Sequence, residues 1–389
     1  MRAPTPRRFG GSALAATRQP AGSSPAPRRV LRIALLALMG ALLAACVPDA
    51  PQDALDPAGP IARQQDGLWN LVFPIAVGAF VLVQGALLIA VWRFRQRPDD
   101  DDTELPKQVA GSTKLEILWT LIPAVILAGI AVPTVAAIFE LAQEPEDAMQ
   151  VRVVAKQYWW EFEYLDEGKE GVVTSGQLHI PTDTPVYLTM ESLSAQIPDP
   201  GGIEPKEGQV ASGVIHSFWV PRLAGKQDVM PGGVENLTIQ ADEPGRYEGQ
   251  CAEFCGLSHS RMRFQVIAQD EAEFNDWIAE QSETQDPGDR EGLAAEGEEL
   301  FDTTTCIECH AIRGYETPEG READIRIGPD LTHFATRDTL AGGIVENNAE
   351  NLEEWLRDPQ AMKAGAQMPN LGLSDDEIEA LVAYLQSLD

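Results

Sequence analysis

The chain has 389 residues, enough for two or three domains, and carries 60 Asp plus Glu against 29 Lys plus Arg, a formal charge of −31. That balance argues against a nucleic-acid partner and for a basic protein partner or a solvated extracellular face. Its five cysteines, Cys46, Cys251, Cys255, Cys306 and Cys309, each fall inside a motif, so no structural disulfide needs to be assumed.

Residues 1–29 are rich in Arg, Pro, Ser and Ala and read as a basic leader. An apolar run over 30–45, broken by Arg32, ends in Leu43-Ala44-Ala45-Cys46. A positive flank, a short apolar core and small residues before the cut describe a secretory signal, so 1–45 is expected to be a signal peptide. The cysteine after the cut resembles a bacterial lipoprotein signal, which would leave Cys46 lipidated; an ordinary signal with an incidental cysteine is the alternative. Residues 46–66, rich in Pro and Ala, read as a linker.

Residues 67–140 read as a transmembrane hairpin. The stretch 71–92 is almost wholly apolar, with Gln84 its one strongly polar side chain. It can cross a hydrocarbon core of roughly 30 Å at about 1.5 Å per residue. Arg93, Arg95 and Arg97 follow at once and place this end in the cytoplasm. A second span over 117–139 begins just after Lys114 and Glu116, and Pro123 and Pro133 predict bends in it. The hairpin leaves everything after Glu140 outside, in the compartment where haem c is attached and copper sites are loaded.

Residues 149–270 switch to a period-two, β-rich pattern. Strands are expected over 151–164, 177–191, 214–221, 235–241, 245–250 and 261–268, with Pro/Gly-rich breaks at 197–202 and 231–233. Many short strands with turn signals suggest a Greek-key sandwich or barrel. Within it stands Cys251-Ala252-Glu253-Phe254-Cys255-Gly256-Leu257-Ser258-His259-Ser260-Arg261-Met262. Thiolate, thioether and imidazole donors together favour copper. With His216 upstream and one backbone carbonyl, the two thiolates could bridge a dinuclear copper centre. A Cys251–Cys255 disulfide, a zinc site of unusual spacing and a copper-delivery motif are the alternatives; no βαβ alternation surrounds the motif to support the last. Tyr158-Trp159-Trp160 forms an aromatic cluster on the first strand, and His179 reads as structural.

Residues 271–291, acidic and polar around Asp286-Pro287-Gly288, read as a tail helix and linker, and 292–389 as a further domain. Cys306-Ile307-Glu308-Cys309-His310 is the haem c attachment pattern: both thiols add to the haem vinyl groups and His310 supplies the proximal imidazole. Residues 292–301 should form the helix leading into it. The sixth ligand should be a methionine downstream, Met362 or Met368. Met368 precedes Pro369 and a last helix beginning near Ser374, where Ser374 and Glu377 form a capping box. Bacterial class I cytochromes resemble this Met-Pro arrangement, so Met368 is preferred, with His333 a weaker alternative. Gly328-Pro329-Asp330-Leu331 resembles the loop that packs on the proximal side of the haem.

From about Leu68 to the C-terminus the chain resembles subunit II of cytochrome c oxidase, of the caa type that carries a C-terminal cytochrome c domain. The resemblance implies a multi-domain membrane protein: a two-helix transmembrane hairpin, a cupredoxin-like Greek-key β-domain and an all-α class I cytochrome c domain. It implies His216, Cys251, the carbonyl of Glu253, Cys255, His259 and Met262 as ligands of two copper ions, with the Glu253 carboxylate towards a magnesium ion at the subunit I boundary. Lys226 and Asp228 match the interface stretch near the haem propionates. Tyr158, Trp159 and Trp160 become the patch where electrons come in, and Glu116 lies where protons would enter a channel in subunit I. Relatives fed by a separate cytochrome have Trp-Tyr-Trp and acidic docking residues where this chain has Tyr158-Trp159-Trp160 and Ser212-Gly213. Both departures fit an oxidase fed by its own attached carrier.

The function so implied is electron input to a terminal oxidase of the bacterial plasma membrane. Electrons from a respiratory-chain donor would pass through haem c and dinuclear copper to haem a of subunit I, with subunit III alongside, for O2 reduction coupled to proton pumping. A quinol oxidase subunit II would lack Cys251, Cys255 and the haem motif. A membrane-anchored copper-delivery protein with an attached cytochrome is the rival from another class.

Overall fold

The computed structural model describes residues 27–44, 50–96, 110–193, 213–285, 290–315 and 327–389. Cys46, Arg97, Ser212, the 197–202 break and Asp286-Pro287-Gly288 lie outside them. The chain divides into two compact units, Met1–Ala50 and Pro51–Asp389. In the first, the stretch read as a signal core forms one helix, α1 (Pro27–Ala44).

Two long apolar helices open the second unit, α2 (Pro60–Phe94) and α3 (Thr113–Leu141), both long and apolar enough to cross a membrane. Helix α2 begins inside the stretch read as linker. Pro60 occupies its first turn, where a missing N–H costs nothing. Before it, Ala58 exchanges backbone hydrogen bonds with Arg222 (2.8 Å) and Asp242 (3.0 Å), and Ala58 and Ile61 pack on the β-domain core. Composition alone reads such a segment as loose; the neighbouring strands hold it.

The β-domain is a sandwich of two five-stranded sheets. One has the order β3-β2-β1-β5-β8, the other β4-β10-β9-β6-β7. In chain order the strands are β1 (Met149–Lys156), β2 (Trp159–Tyr164), β3 (Val173–Ser175), β4 (Gln177–Pro181), β5 (Val186–Ser192), β6 (His216–Trp219), β7 (Gln227–Val229), β8 (Glu235–Ile239), β9 (Gly245–Cys251) and β10 (Arg263–Gln269). The predicted strand 151–164 is in fact the antiparallel hairpin β1–β2, and 177–191 is β4 and β5, which belong to different sheets. Periodicity runs on across a tight turn, so it could not mark either break. Trp160, Phe218 and Phe264 fill the core, with Phe218 and Phe264 stacked at 4.5 Å and Trp160 edge-on to Phe218 at 5.4 Å. Burying each such ring contributes on the order of 2–3 kcal/mol. Gly249 pairs across the sheet with Phe264, and a Cβ there would meet the ring at 2.3 Å. Helix α4 (Glu271–Gln281) closes the sandwich through Phe274 and Ile278.

The C-terminal domain is mainly helical: α5 (Leu293–Thr303), a short ribbon of β11 (Thr339–Leu340) and β12 (Val345–Glu346), then α6 (Ala349–Arg357), α7 (Pro359–Met362) and α8 (Asp375–Leu385). Helix α5 starts within a residue of its expected position. The capping box of Ser374 and Glu377 is formed at the head of α8. Helices α5 and α8 cross at Gly297, where a Cβ would lie 2.0 Å from the carbonyl oxygen of Ala380.

Candidate copper and haem sites

Pairing of β6 with β9 sets Phe218 opposite Cys251 and so brings His216 to the copper loop, 35 residues away in sequence. The loop closes on itself where the Cys251 amide donates to the carbonyl of Met262 at 2.9 Å. Inside it, the sulfurs of Cys251 and Cys255 stand 3.7 Å apart, and both cysteines are free thiols. Nδ1 of His216 is 3.7 Å from the Cys251 sulfur, and Nδ1 of His259 is 3.8 Å from that of Cys255. The Met262 thioether is 3.9 Å from Cys255, and the carbonyl oxygen of Glu253 is 3.2 Å from Cys251.

Cys251, Cys255, Met262 and His216 are buried, and Nε2 of His216 has no hydrogen-bond partner. The hydrogen bond from Cys255 holds the Cys251 thiol low, while the same contact and burial push the Cys255 thiol up. One thiolate is therefore favoured before any metal arrives, and a bound cation would deprotonate both. The donor atoms of His216, Cys251 and Cys255 lie within 4.8 Å of one another, while His259 meets the cluster at Cys255. Two thiols, two imidazoles, a thioether and a carbonyl form a soft set that fits copper.

The second site is a cavity of about 400 Å³, lined mainly by apolar atoms. Cys306, Cys309 and His310 stand on its wall, and Met368 and Pro369 also line it. Nδ1 of His310 donates to the Pro329 carbonyl at 2.7 Å, which fixes the tautomer and leaves Nε2 as a lone-pair donor. Burial lowers the His310 pKa from its ordinary value, keeping the ring neutral as a ligand must be. These residues fit a covalently held haem. Met362 is absent from the lining; its carbonyl accepts from Arg261. Both His333 ring nitrogens lie against backbone oxygens, those of Asp389 (2.6 Å) and Glu283 (3.1 Å), and His333 is not among the residues lining the haem cavity.

One wall of the haem cavity belongs to the β-domain: Gln157, Tyr158, Trp159, Ser175 and Gly176. Tyr158 and Trp159 therefore sit at the β1–β2 turn facing the cavity. Trp160 is fully buried, its ring edge-on to His216 at 5.9 Å. The Tyr158 hydroxyl accepts from the Leu257 amide at 3.0 Å, and Gln157 Nε2 donates to the Cys255 carbonyl at 2.6 Å. The turn thus touches the copper loop on one side and the haem cavity on the other.

Gln157, Lys363 and Arg337 are among the cavity residues that sequence reasoning missed. Burial lowers the Arg337 pKa to about 10 and the Lys363 pKa to about 7, the latter opposed by Cys255. No local pattern marks a lone lysine or glutamine as buried.

Elsewhere, the Glu253 carboxylate is partly exposed and accepts from the Phe254 amide at 3.2 Å. Lys226 is exposed, its ammonium 5.3 Å from the Trp219 ring, and Asp228 lies on β7. Glu116 lies in the first turn of α3, exposed, in a shallow groove with Thr113, Ile117, Thr120, Leu121 and Ala124. His179 stacks on Trp277 at 4.0 Å and 5°.

A two-helix membrane hairpin, an outer sandwich bearing a sulfur–imidazole cluster and a helical domain bearing the haem-attachment motif define a membrane-anchored electron-transport protein. Residues 51–137 match the transmembrane domain of cytochrome c oxidase subunit II, 149–269 its periplasmic domain, and 294–389 cytochrome c. Cytochrome c oxidase subunit 2 of Alkalihalophilus pseudofirmus is 38% identical over 367 residues, which cover 91% of this chain and 95% of that relative. The same subunit of Bacillus sp. strain PS3 is 37% identical over 371 residues, covering 91% and 96%. The crystal structure of the periplasmic domain of subunit II from Bradyrhizobium japonicum aligns with 36% of this chain and 97% of its own, at 18% identity and a TM-score of 0.30. The chain belongs to the cytochrome c oxidase subunit 2 family, in the form that carries a C-terminal cytochrome c domain.

Proposed function

We propose that this chain is the electron-input subunit of a proton-pumping terminal oxidase on the outer face of a bacterial plasma membrane. Electrons from a respiratory-chain donor enter on its own haem c, pass to a dinuclear copper centre and leave for haem a of subunit I, where O2 is reduced. Cys306, Cys309, His310 and Met368 hold the haem. His216, Cys251, the Glu253 carbonyl, Cys255, His259 and Met262 hold the copper, and the Glu253 carboxylate contributes to a magnesium site at the subunit I boundary. Both groups, when bound, supply one-electron redox chemistry.

The observation that carries the reading is the shared turn. Tyr158 and Trp159 line the haem cavity while Tyr158 also binds the copper loop through the Leu257 amide. Such a wall keeps water out and holds the two donor sets at a constant separation. Six donors gather around the two thiols, His216, Cys251, the Glu253 carbonyl, Cys255, His259 and Met262, more than one tetrahedral zinc takes. That favours two ions over one zinc.

The test uses the chain assembled with subunit I. Flash reduction of its haem should be followed by haem reoxidation in step with bleaching of the copper band. In Cys255→Ser the haem should still be reduced but stay reduced. Rapid haem reoxidation in that variant would refute the relay.

A further inference from the structure

A buried lysine lies in the seam between the two redox domains. Lys363 belongs to the C-terminal domain, is 3% exposed and lines the haem cavity. Its Nζ donates to the carbonyl of Tyr158 on the β-domain at 2.6 Å and to that of Ala341 on its own domain at 2.7 Å. A polar group is costly to bury without hydrogen-bond partners, so these two bonds fix its place closely.

Backbone geometry around it is equally tight. Gly342 has φ of +74°, and a Cβ there would lie 2.4 Å from Nζ of Lys363 and 2.9 Å from the Tyr158 carbonyl oxygen. Gly365, also left-handed at φ +80°, approaches Leu257 so closely that a Cβ would stand 3.1 Å from its side chain. Next to these, Ser258 Oγ donates to the Ala364 carbonyl at 2.5 Å, and Arg261 donates to the Met362 carbonyl. The segment 362–365 thus binds the copper loop at Leu257, Ser258 and Arg261, and Met368 follows a few residues on.

We propose that Lys363 is the positioning residue of the haem-to-copper handover: its amine, bonded to the carbonyls of Tyr158 and Ala341, clamps the Tyr158–Trp159 turn against the haem cavity. The clamp acts through backbone carbonyls, so it holds the turn whatever the side chains there are. The step it serves is a single electron leaving the reduced haem for the oxidised copper pair, with no bond made or broken. This inference rests on the function proposed above.

The experiment uses the full chain, loaded with haem and copper, comparing native protein with Lys363→Met and Lys363→Gln. Haem-to-copper transfer is followed after flash reduction, the haem midpoint potential is titrated, and both absorption spectra are recorded. Lys363→Met should slow transfer at least tenfold while leaving both spectra intact. Lys363→Gln, still a donor to the Tyr158 carbonyl, should recover a good part of the rate. An unchanged rate in Lys363→Met overturns the proposal, as does a Gln variant no faster than Met, or a slowing that a shift in haem potential accounts for by itself. Should Lys363→Met fail to fold, Ser258→Ala removes the neighbouring bond of the same seam and should slow transfer about threefold; an unchanged rate there overturns the clamp. If the native chain shows no transfer to copper at all, the relay itself fails, and that outcome is distinct from a normal native rate with a silent Lys363.

Discussion

The sulfur of Cys255 lies 3.7 Å from that of Cys251 and 3.9 Å from the thioether of Met262, which places it at the centre of the copper loop. At that separation the two cysteines share no covalent bond, and each has an imidazole Nδ1 beside it, that of His216 at 3.7 Å from Cys251 and that of His259 at 3.8 Å from Cys255. A disulfide, open on sequence grounds, is not what this fold holds.

Copper stoichiometry follows from the number of donors gathered there. The native chain should bind two copper ions and give the spin-resonance signal of one electron shared over both. Cys255→Ser, which removes one bridge, should retain one ion or none and lose the shared-electron signal. Metal analysis with spin resonance decides it; one ion in the native chain would contradict the dinuclear reading.

Met368 lines the haem cavity and Met362 does not. The Met368→Ala chain should still hold its haem through Cys306 and Cys309 but lose the methionine-ligated signature in a reduced-minus-oxidised spectrum. Its haem potential should fall, since thioether ligation favours the reduced state. Met362→Ala should leave the spectrum unchanged. The reverse pattern would exchange the two assignments.

Glu116 is proposed as the point where protons enter. It stands exposed in the first turn of α3, with Thr120 donating back to its carbonyl at 2.8 Å. In the assembled oxidase, Glu116→Gln should cut turnover and proton uptake severalfold without altering either cofactor spectrum. Unaltered proton uptake would remove the role.

His179 should make the β-domain sensitive to acid. Burial lowers its pKa from 6.5 to about 4, against a hydrogen bond to Gln269 at 2.8 Å. Between pH 6.5 and 4 the unfolded chain takes up a proton that the folded chain refuses. Stability from this group is therefore complete above pH 6.5, falls as pH drops through that window and levels off below pH 4, a loss on the order of 3 kcal/mol. Replacing it, His179→Phe keeps a ring against Trp277 but cannot titrate. Melting temperatures of the full chain at pH 7 and pH 4.5 should differ less in that variant; an equal difference would place the acid sensitivity elsewhere.

The sequence by itself determined the chemistry of this protein. Soft ligands packed into twelve residues, a five-residue haem-attachment motif and two apolar stretches are local patterns, and local patterns can be read without coordinates. It also determined most strands and helices, because periodicity and capping act over a few residues. It misplaced the β1–β2 turn at Tyr158 and the start of α2 at Pro60, where alternation continues through a turn and a Pro-rich segment is held by distant strands. What only the tertiary structure decided is which residues meet across the seam. Lys363 and Gln157 belong to no pattern by which the chain marks a buried or functional residue. Their roles come from 205 residues of separation between Lys363 and Tyr158 and 98 between Gln157 and Cys255, closed by packing one domain on another. No short-range rule encodes a contact of that span, because its energy depends on the whole fold being in place.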